Sequence, residues 1–335
     1  MILAAGYGTR LWPLTIDRTK PAIPFMGRPL IGYVAEYLAG YGFDDIVVNL
    51  HHQPDSVRAA LGDGGAFGVR FHYVEEPVIL GTSGAIGNAR RLLEGDAFVV
   101  INGKLATDID LREALDTHRR TRALATLVLR PNPERERYST VNVRDGLVTG
   151  FGGYPAPASD KAGSAAGAVQ ADVEADAPLM FTGIQILDPR VFEFIPPGVF
   201  SHSVTDVYVP AIARGDRVAA HVARGSWYEL STVRRYLETS VAIMKREGRD
   251  VELGEGSNVE DGASVTESVL WENVNVARGA RVRRSVLGAG VRVGPDEVFD
   301  NVAVVRAELA RGAVRPEKGL GGEFRGSNFV APIPG

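Results

Sequence analysis

"LAAGYGTRLWPLTIDRTKPAIPFMGRPLI" (Leu3–Ile31) runs from an apolar strand into Gly6-Tyr7-Gly8-Thr9-Arg10, and Lys20-Pro21 follows ten residues after Arg10. Glycines directly after a buried strand let backbone N–H groups come close to a phosphate. Arg10 and Lys20 supply the positive charge a triphosphate needs. No third glycine completes a dinucleotide fingerprint, and no Gly-Lys-Ser/Thr marks a P-loop. Gly6 and Gly8 can also serve plain tight turns, but two cations beside them favour a phosphate site.

Outward from this loop, residues 1 to about 240 alternate short apolar runs with helical patterns, the mark of a mainly parallel sheet flanked by helices. "MILAA", "DDIVVNL", "VRFHYVEE", "AFVVING" and "LATLVLRP" read as strands. "LIGYVAEYLAGYG" reads as an amphipathic helix ending at Gly40 or Gly42, and further helices are expected around 83–94 and 110–122. Asp110 is placed to cap the latter, and Asp108 reads as a turn residue. Residues 155–178 are rich in Ala, Gly, Ser, Asp and Pro without a period, so they read as a mobile insertion.

After about residue 250 the rhythm changes. Val259, Val265, Leu270, Val276, Val282, Leu287, Val293, Val298 and Val304 recur in steps of five or six. A step of nearly six, punctuated by small turn residues, predicts a left-handed parallel β-helix, with an antiparallel meander as the alternative. The expected fold is thus α/β: a Rossmann-like mixed, mainly parallel sheet over residues 1–245, then a β-helix domain over 246–335 with an irregular tail.

Composition narrows the function. The 335 residues carry a net charge of −4, which argues against a broad nucleic-acid or anionic-membrane surface. There is no cysteine, so disulfides, thiolate metal sites and a cysteine nucleophile are excluded. No apolar run reaches the roughly 18 residues of a membrane span, and the N-terminal run is too short for a signal peptide. A cytoplasmic protein is expected.

The run G-x-G-T-R-L-x-P-L-T followed by K-P resembles the signature of sugar-1-phosphate nucleotidylyltransferases, the NDP-sugar pyrophosphorylases. "EEPVILGTSGAIGNA", "FTGIQILDPRVF" and "GSWYELSTVRRYLE" resemble further segments of that family in the same order. The C-terminal β-helix is similar to that of several branches, among them mannose-1-phosphate guanylyltransferases. The resemblance implies that a sugar 1-phosphate attacks the α-phosphorus of an NTP, with GTP and mannose 1-phosphate the expected pair. It implies that Leu3, Ala5 and Gly6 line the base, while Gly8, Thr9 and Arg10 cradle the phosphates. Lys20 would bridge the α-phosphate region. Gly81 and Thr82 would close on the nucleoside beside Asn102, and Thr182 and Gly183 would approach the sugar. Copies of the chain would associate through the β-helix.

The departures fall on the chemistry. In the "VVINGKLATDIDL" stretch, Lys104 stands where the resemblance implies an aspartate that binds Mg²⁺, and Glu229 stands at the second ligand position. The glutamate that often holds a sugar hydroxyl is Asn142, and the sugar-phosphate lysine is replaced by Tyr154. Three readings of Lys104 follow. It can pair with Glu229 at a lost metal site, act as a substitute cation on the α-phosphate, or be a solvated loop residue. The first reading carries an alternative function, a catalytically impaired sensing homologue that binds nucleotide sugar. Acyl transfer by the β-helix is a weak further idea, since the last histidine, His221, precedes the repeat.

Overall fold

A computed structural model describes residues 1–133, 136, 140–152 and 177–334. Tyr154 and all of the expected insertion but its last two residues therefore lie outside the described residues. A nine-stranded sheet forms the first part of the molecule. Arg70–Glu75, Asp45–Leu50, Ile2–Leu3 and Phe98–Asn102 lie side by side and parallel. Leu179–Leu187 inserts antiparallel between Phe98–Asn102 and Ala125–Pro131, and Val218–Val222 runs parallel to the latter. A hairpin, Thr140–Arg144 and Leu147–Phe151, completes the edge. The sheet is mixed and mainly parallel, as expected.

The strand Asp45–Leu50 has a single exposed residue, its first, because helices cover both faces of a parallel sheet. Helix Leu30–Ala39 ends at Gly40, and Leu111–Thr121 is capped by Asp110, whose side chain accepts from the Arg112 N–H at 2.8 Å. The helix expected over 83–94 is instead two, Gly81–Asn88 and Arg90–Leu93, because Ala89 leaves helical geometry at φ −92°, ψ 5°. The residues after Lys104 form a short strand, Leu105–Thr107, that pairs antiparallel with Trp227–Glu229. Three residues carry too little alternation to be recognised, and this strand exists only because its partner lies beside it.

The C-terminal region is a three-faced coil. Asn258–Val259 pairs parallel with Asn275–Val276, Ser264–Thr266 with Arg281–Arg283, and Ser268–Leu270 with Val286–Leu287. Each residue thus meets the one seventeen positions on (Val259↔Val276, Val265↔Val282, Leu270↔Leu287), so one coil holds steps of six, five and six. Val276, Val282, Leu287, Val293 and Val304 fill the interior. Val298, which falls on the repeat, is half exposed, and Phe299 fills the interior beside it. The reason is register, since Val282 pairs with Phe299. The tail expected to be irregular carries two strands among its described residues. Glu323–Arg325 and Asn328–Pro332 form a hairpin that adds to the Val302–Arg306 strand of the coil.

The α/β part and the coil share a core. Trp12, Leu14, Phe25 and Tyr236 pack with Val269, Trp271, Val286 and Phe329. Apolar area removed from water in this seam holds the loop after Arg10 against the coil. Arg18 reinforces it, lying 5.1 Å over the Trp271 ring and 2.8 Å from Glu272. Among the described residues no helix is long and apolar enough to cross a membrane.

Candidate active site

The glycine loop leaves the C-terminal end of Ile2–Leu3. Its first turn is fixed from below, where the Ala4 N–H donates to Asn49 Oδ1 at 2.7 Å. The Asn49 amide donates to Glu76 Oε1 at 2.7 Å, and Glu76 Oε2 accepts the Leu80 N–H at 2.9 Å. Asn49 and Glu76 are both buried, so their polar atoms must be matched, and they are. This chain ties the loop to the start of helix Gly81–Asn88. The sequence carried two traces of it, an asparagine within an apolar strand and a glutamate just past the next one.

Gly8 has φ +65°, and a Cβ there would fall 2.9 Å from Lys20 Cβ. Only glycine permits both the left-handed turn and that approach. The loop then winds into a 3₁₀ turn, Thr9–Leu11, with Leu11 buried and Arg10 exposed.

A cavity of about 390 Å³ opens here, lined by Leu3, Ala4, Gly6, Tyr7, Gly8, Thr9, Arg10, Lys20, Asn102, Lys104 and Ser231, among others. Of the residues inferred from sequence, Leu3, Gly6, Gly8, Thr9, Arg10, Lys20, Asn102 and Lys104 come together in one wall. Ala5 does not, because it is buried and Ala4 faces the opening. Gly81 and Thr82 are also absent from this wall. The Ser201 carbonyl fills the space of a Gly81 side chain, and the Thr82 hydroxyl accepts from the Ser203 N–H at 2.8 Å. Burial draws the Lys20 ammonium down to about 7, and the charges of Lys104 and Arg10 act in the same direction against Glu229.

A second cavity, about 650 Å³, lies alongside and is lined by Arg130, Asn132, Met180, Trp227, Tyr228, Glu229, Thr232 and Arg235, among others. None but Glu229 was foreseen. The Thr182 hydroxyl donates to the Val128 carbonyl, and its own carbonyl accepts from Trp227 Nε1 at 3.0 Å. Thr182 thus acts on this cavity through Trp227. Gly183 has φ +82°, and a side chain there would collide with the Asn102 amide. Asn142 is exposed on Thr140–Arg144 and lines neither cavity.

Lys104 and Glu229 form a close ion pair, and the first lines one cavity while the second lines the other. The pairing follows from the short strands, which set Glu229 opposite Leu105, and from the Leu230 N–H donating to the Lys104 carbonyl at 2.8 Å. A Mg²⁺ site does not fit these residues. An ammonium cannot ligate a cation that wants several oxygens at short octahedral distances. Glu229 is taken up by Lys104, with Arg235 4.0 Å from its other oxygen. Among the described residues no three His, Asp or Glu side chains gather as a metal site. Asp108 gives no substitute ligand, because it accepts the Ser226 N–H and lies 3.5 Å from Arg246.

A doubly covered sheet, a strand-end glycine loop, three cations in one wall and an adjoining cavity define an α/β protein with a cationic glycine-loop site. The comparisons narrow that class. Residues 1–246 match the nucleotidyl transferase family, and residues 217–305 match the GlmU-like C-terminal hexapeptide family. The chain belongs to the nucleotidyl transferase family. It is 29% identical over 287 residues to a UTP–glucose-1-phosphate uridylyltransferase of Synechocystis, covering 82% of this chain and 71% of that one. It is 27% identical to a mannose-1-phosphate guanylyltransferase of Mycobacterium tuberculosis, over 91% of this chain and 80% of the relative. A crystal structure from Bacillus anthracis, assigned as a glucose-1-phosphate thymidylyltransferase, shares the fold at TM-score 0.58 and 23% identity, over 76% of this chain and 96% of that one. These relatives carry transferase names, so the sensing homologue gains no support from them.

Proposed function

We propose that the protein joins an NTP to a sugar 1-phosphate, giving an NDP-sugar and pyrophosphate. The observation that carries this reading is the abutment of two cavities at Lys104–Glu229, one with a glycine loop and three cations, the other without that loop. In such a reaction an oxygen of the sugar phosphate attacks the α-phosphorus in line. The bond from the α-phosphorus to its bridging oxygen breaks, and pyrophosphate leaves with the electron pair. No proton has to move, so the protein's work is positioning and charge neutralisation. The loop amides around Gly8 and Thr9, with Arg10, would hold the departing pyrophosphate. Lys20 would sit between the α- and β-phosphates, and the sugar would occupy the cavity beneath Trp227.

GTP with mannose 1-phosphate is the pair to test first, because the relative named for it spans most of this chain. Uridylyltransferase relatives make UTP with glucose 1-phosphate the second pair. A cytoplasmic location and association of copies through the coil go with this reading. The test is pyrophosphate release from the pure protein with each NTP, a panel of sugar 1-phosphates and Mg²⁺ in the buffer. Release from at least one pair is expected, and no release from any pair would sink the reading.

Lys20 gives this binding a pH signature. A polyphosphate selects the charged ammonium, whose pKa in the empty protein is about 7. Above that pH the lysine must take up a proton to bind. NTP affinity is expected to fall about tenfold from pH 6 to pH 8 by linkage. The sign for folding is opposite: the empty protein gains stability as pH rises from about 7 toward the unfolded value of 10.5. Calorimetric titration in buffers of different ionisation enthalpy checks the proton uptake. A constant affinity across that range would show that Lys20 stays charged.

A further inference from the structure

We propose that Lys104 is a built-in cation that replaces a protein-held divalent ion at the seam between the two cavities, and that Glu229 positions it. This inference rests on the proposed nucleotidyl transfer.

Both ends of the pair are held by backbone. Lys104 lies between the strands Phe98–Asn102 and Leu105–Thr107, and the latter pairs with Trp227–Glu229. The Leu230 N–H donates to the Lys104 carbonyl, and the Ser231 N–H to the Glu229 carbonyl at 2.9 Å. The main chain is thus fixed at both residues, and the ion pair with Glu229 holds the Lys104 side chain.

The pair is also asymmetric. The Glu229 side chain is 11% exposed, whereas that of Lys104 is 31% exposed and lines the glycine-loop cavity with Arg10 and Lys20. Hiding both charges would cost desolvation, which a partly exposed ammonium escapes. Here the carboxylate is enclosed and the ammonium keeps a face toward the place where a polyphosphate would lie. Arg235, 4.0 Å from the second Glu229 oxygen, leaves the carboxylate a cationic neighbour when the ammonium turns to a ligand.

Lys104 would donate hydrogen bonds to a non-bridging oxygen of the α-phosphate as negative charge gathers there. The sugar-phosphate oxygen forms its bond to the α-phosphorus, the bond to the leaving pyrophosphate breaks, and Lys104 keeps its protons throughout. Lys104 is the catalytic residue in this scheme, and Glu229 the positioning residue.

Two measurements test this. Mn²⁺ is titrated into the protein alone and with GDP-mannose, following the free-ion electron paramagnetic resonance signal. The native protein is expected to hold no Mn²⁺ at this place, while Lys104→Asp combined with Glu229→Asp gains one. Native Mn²⁺ binding that disappears in Glu229→Gln would overturn the proposal, whether or not the protein turns over. The second measurement is steady-state kinetics. Lys104→Gln is expected to lower kcat about 100-fold or more with KM for the NTP little changed. The double variant Lys104→Gln/Glu229→Gln should be no faster, since the missing group is the cation. Recovery of native kcat in the double variant would mean that Lys104 merely neutralises Glu229, and the proposal would fail. Native turnover that depends on protein-held Mn²⁺ defeats this inference alone, whereas no turnover with any substrate pair defeats the proposed function.

Discussion

Arg10→Ala is expected to lower kcat/KM for pyrophosphate release by about 10²–10³-fold, the loss typical of removing one preorganised group that meets developing charge. Arg10 sits in the 3₁₀ turn after the glycines, exposed at the mouth of the cavity. Among the described residues it meets no carboxylate within ion-pair distance, so no ion pair of the fold depends on its charge. Stability should therefore stay within about 0.5 kcal/mol of native, as for an ordinary surface change. Arg10→Lys should recover part of the rate, because a point charge remains while the bidentate fork is lost. Parallel kinetics and denaturant melts separate the two effects. Native kcat/KM in the alanine variant would remove Arg10 from the phosphate site.

Trp271→Ala should cost about 3–5 kcal/mol of stability, the range for deleting a large buried aromatic side chain. The ring is almost fully buried at the seam between the coil and the α/β part. Its Nε1 donates to the Tyr236 hydroxyl at 3.0 Å, that hydroxyl donates to the Pro24 carbonyl, and Arg18 covers its face. The variant opens a cavity, uncovers the Arg18 guanidinium and removes a donor from Tyr236. Because the same seam holds residues 12–25, which connect the glycine loop and Lys20 to the coil, NTP affinity should weaken as well. Urea unfolding followed by tryptophan fluorescence measures the first effect, and calorimetric titration the second. A loss under 1 kcal/mol would mean that the seam contributes little.

Much of the fold could be read from local patterns. The doubly buried strands, the helix ending at Gly40, the Asp110 cap and the six-residue rhythm of the coil are short-range signals carried by neighbouring residues. Local patterns say nothing where pairing decides structure. Leu105–Thr107 is a strand only because Trp227–Glu229 lies beside it, and Phe299 rather than Val298 points inward because the seventeen-residue register fixes its partner as Val282. The tail was illegible for the same reason, since its strands gain their hydrogen bonds from the coil they join.

The site divides along the same line. The glycine loop with Arg10 and Lys20 was legible because its groups lie within fifteen residues of one another and their spacing is itself the signal. The second cavity was not, since Arg130, Met180 and Trp227 come from three separate strands. Gly81 and Thr82 pack on residues 201–203, a contact across more than a hundred residues that no local pattern records.

The sequence by itself determined the α/β class, the repeating coil, the phosphate loop and the presence of a lysine where the resemblance implies a metal ligand. It could do so because each is written in local spacing or residue chemistry. Only the tertiary structure decided that Lys104 and Glu229 meet, that they stand between two cavities, and that the carboxylate is enclosed while the ammonium faces the loop. Those facts depend on two three-residue strands, their paired residues 120 to 124 positions apart, finding one another, and the hydrogen bonds that join them exist only in the folded chain.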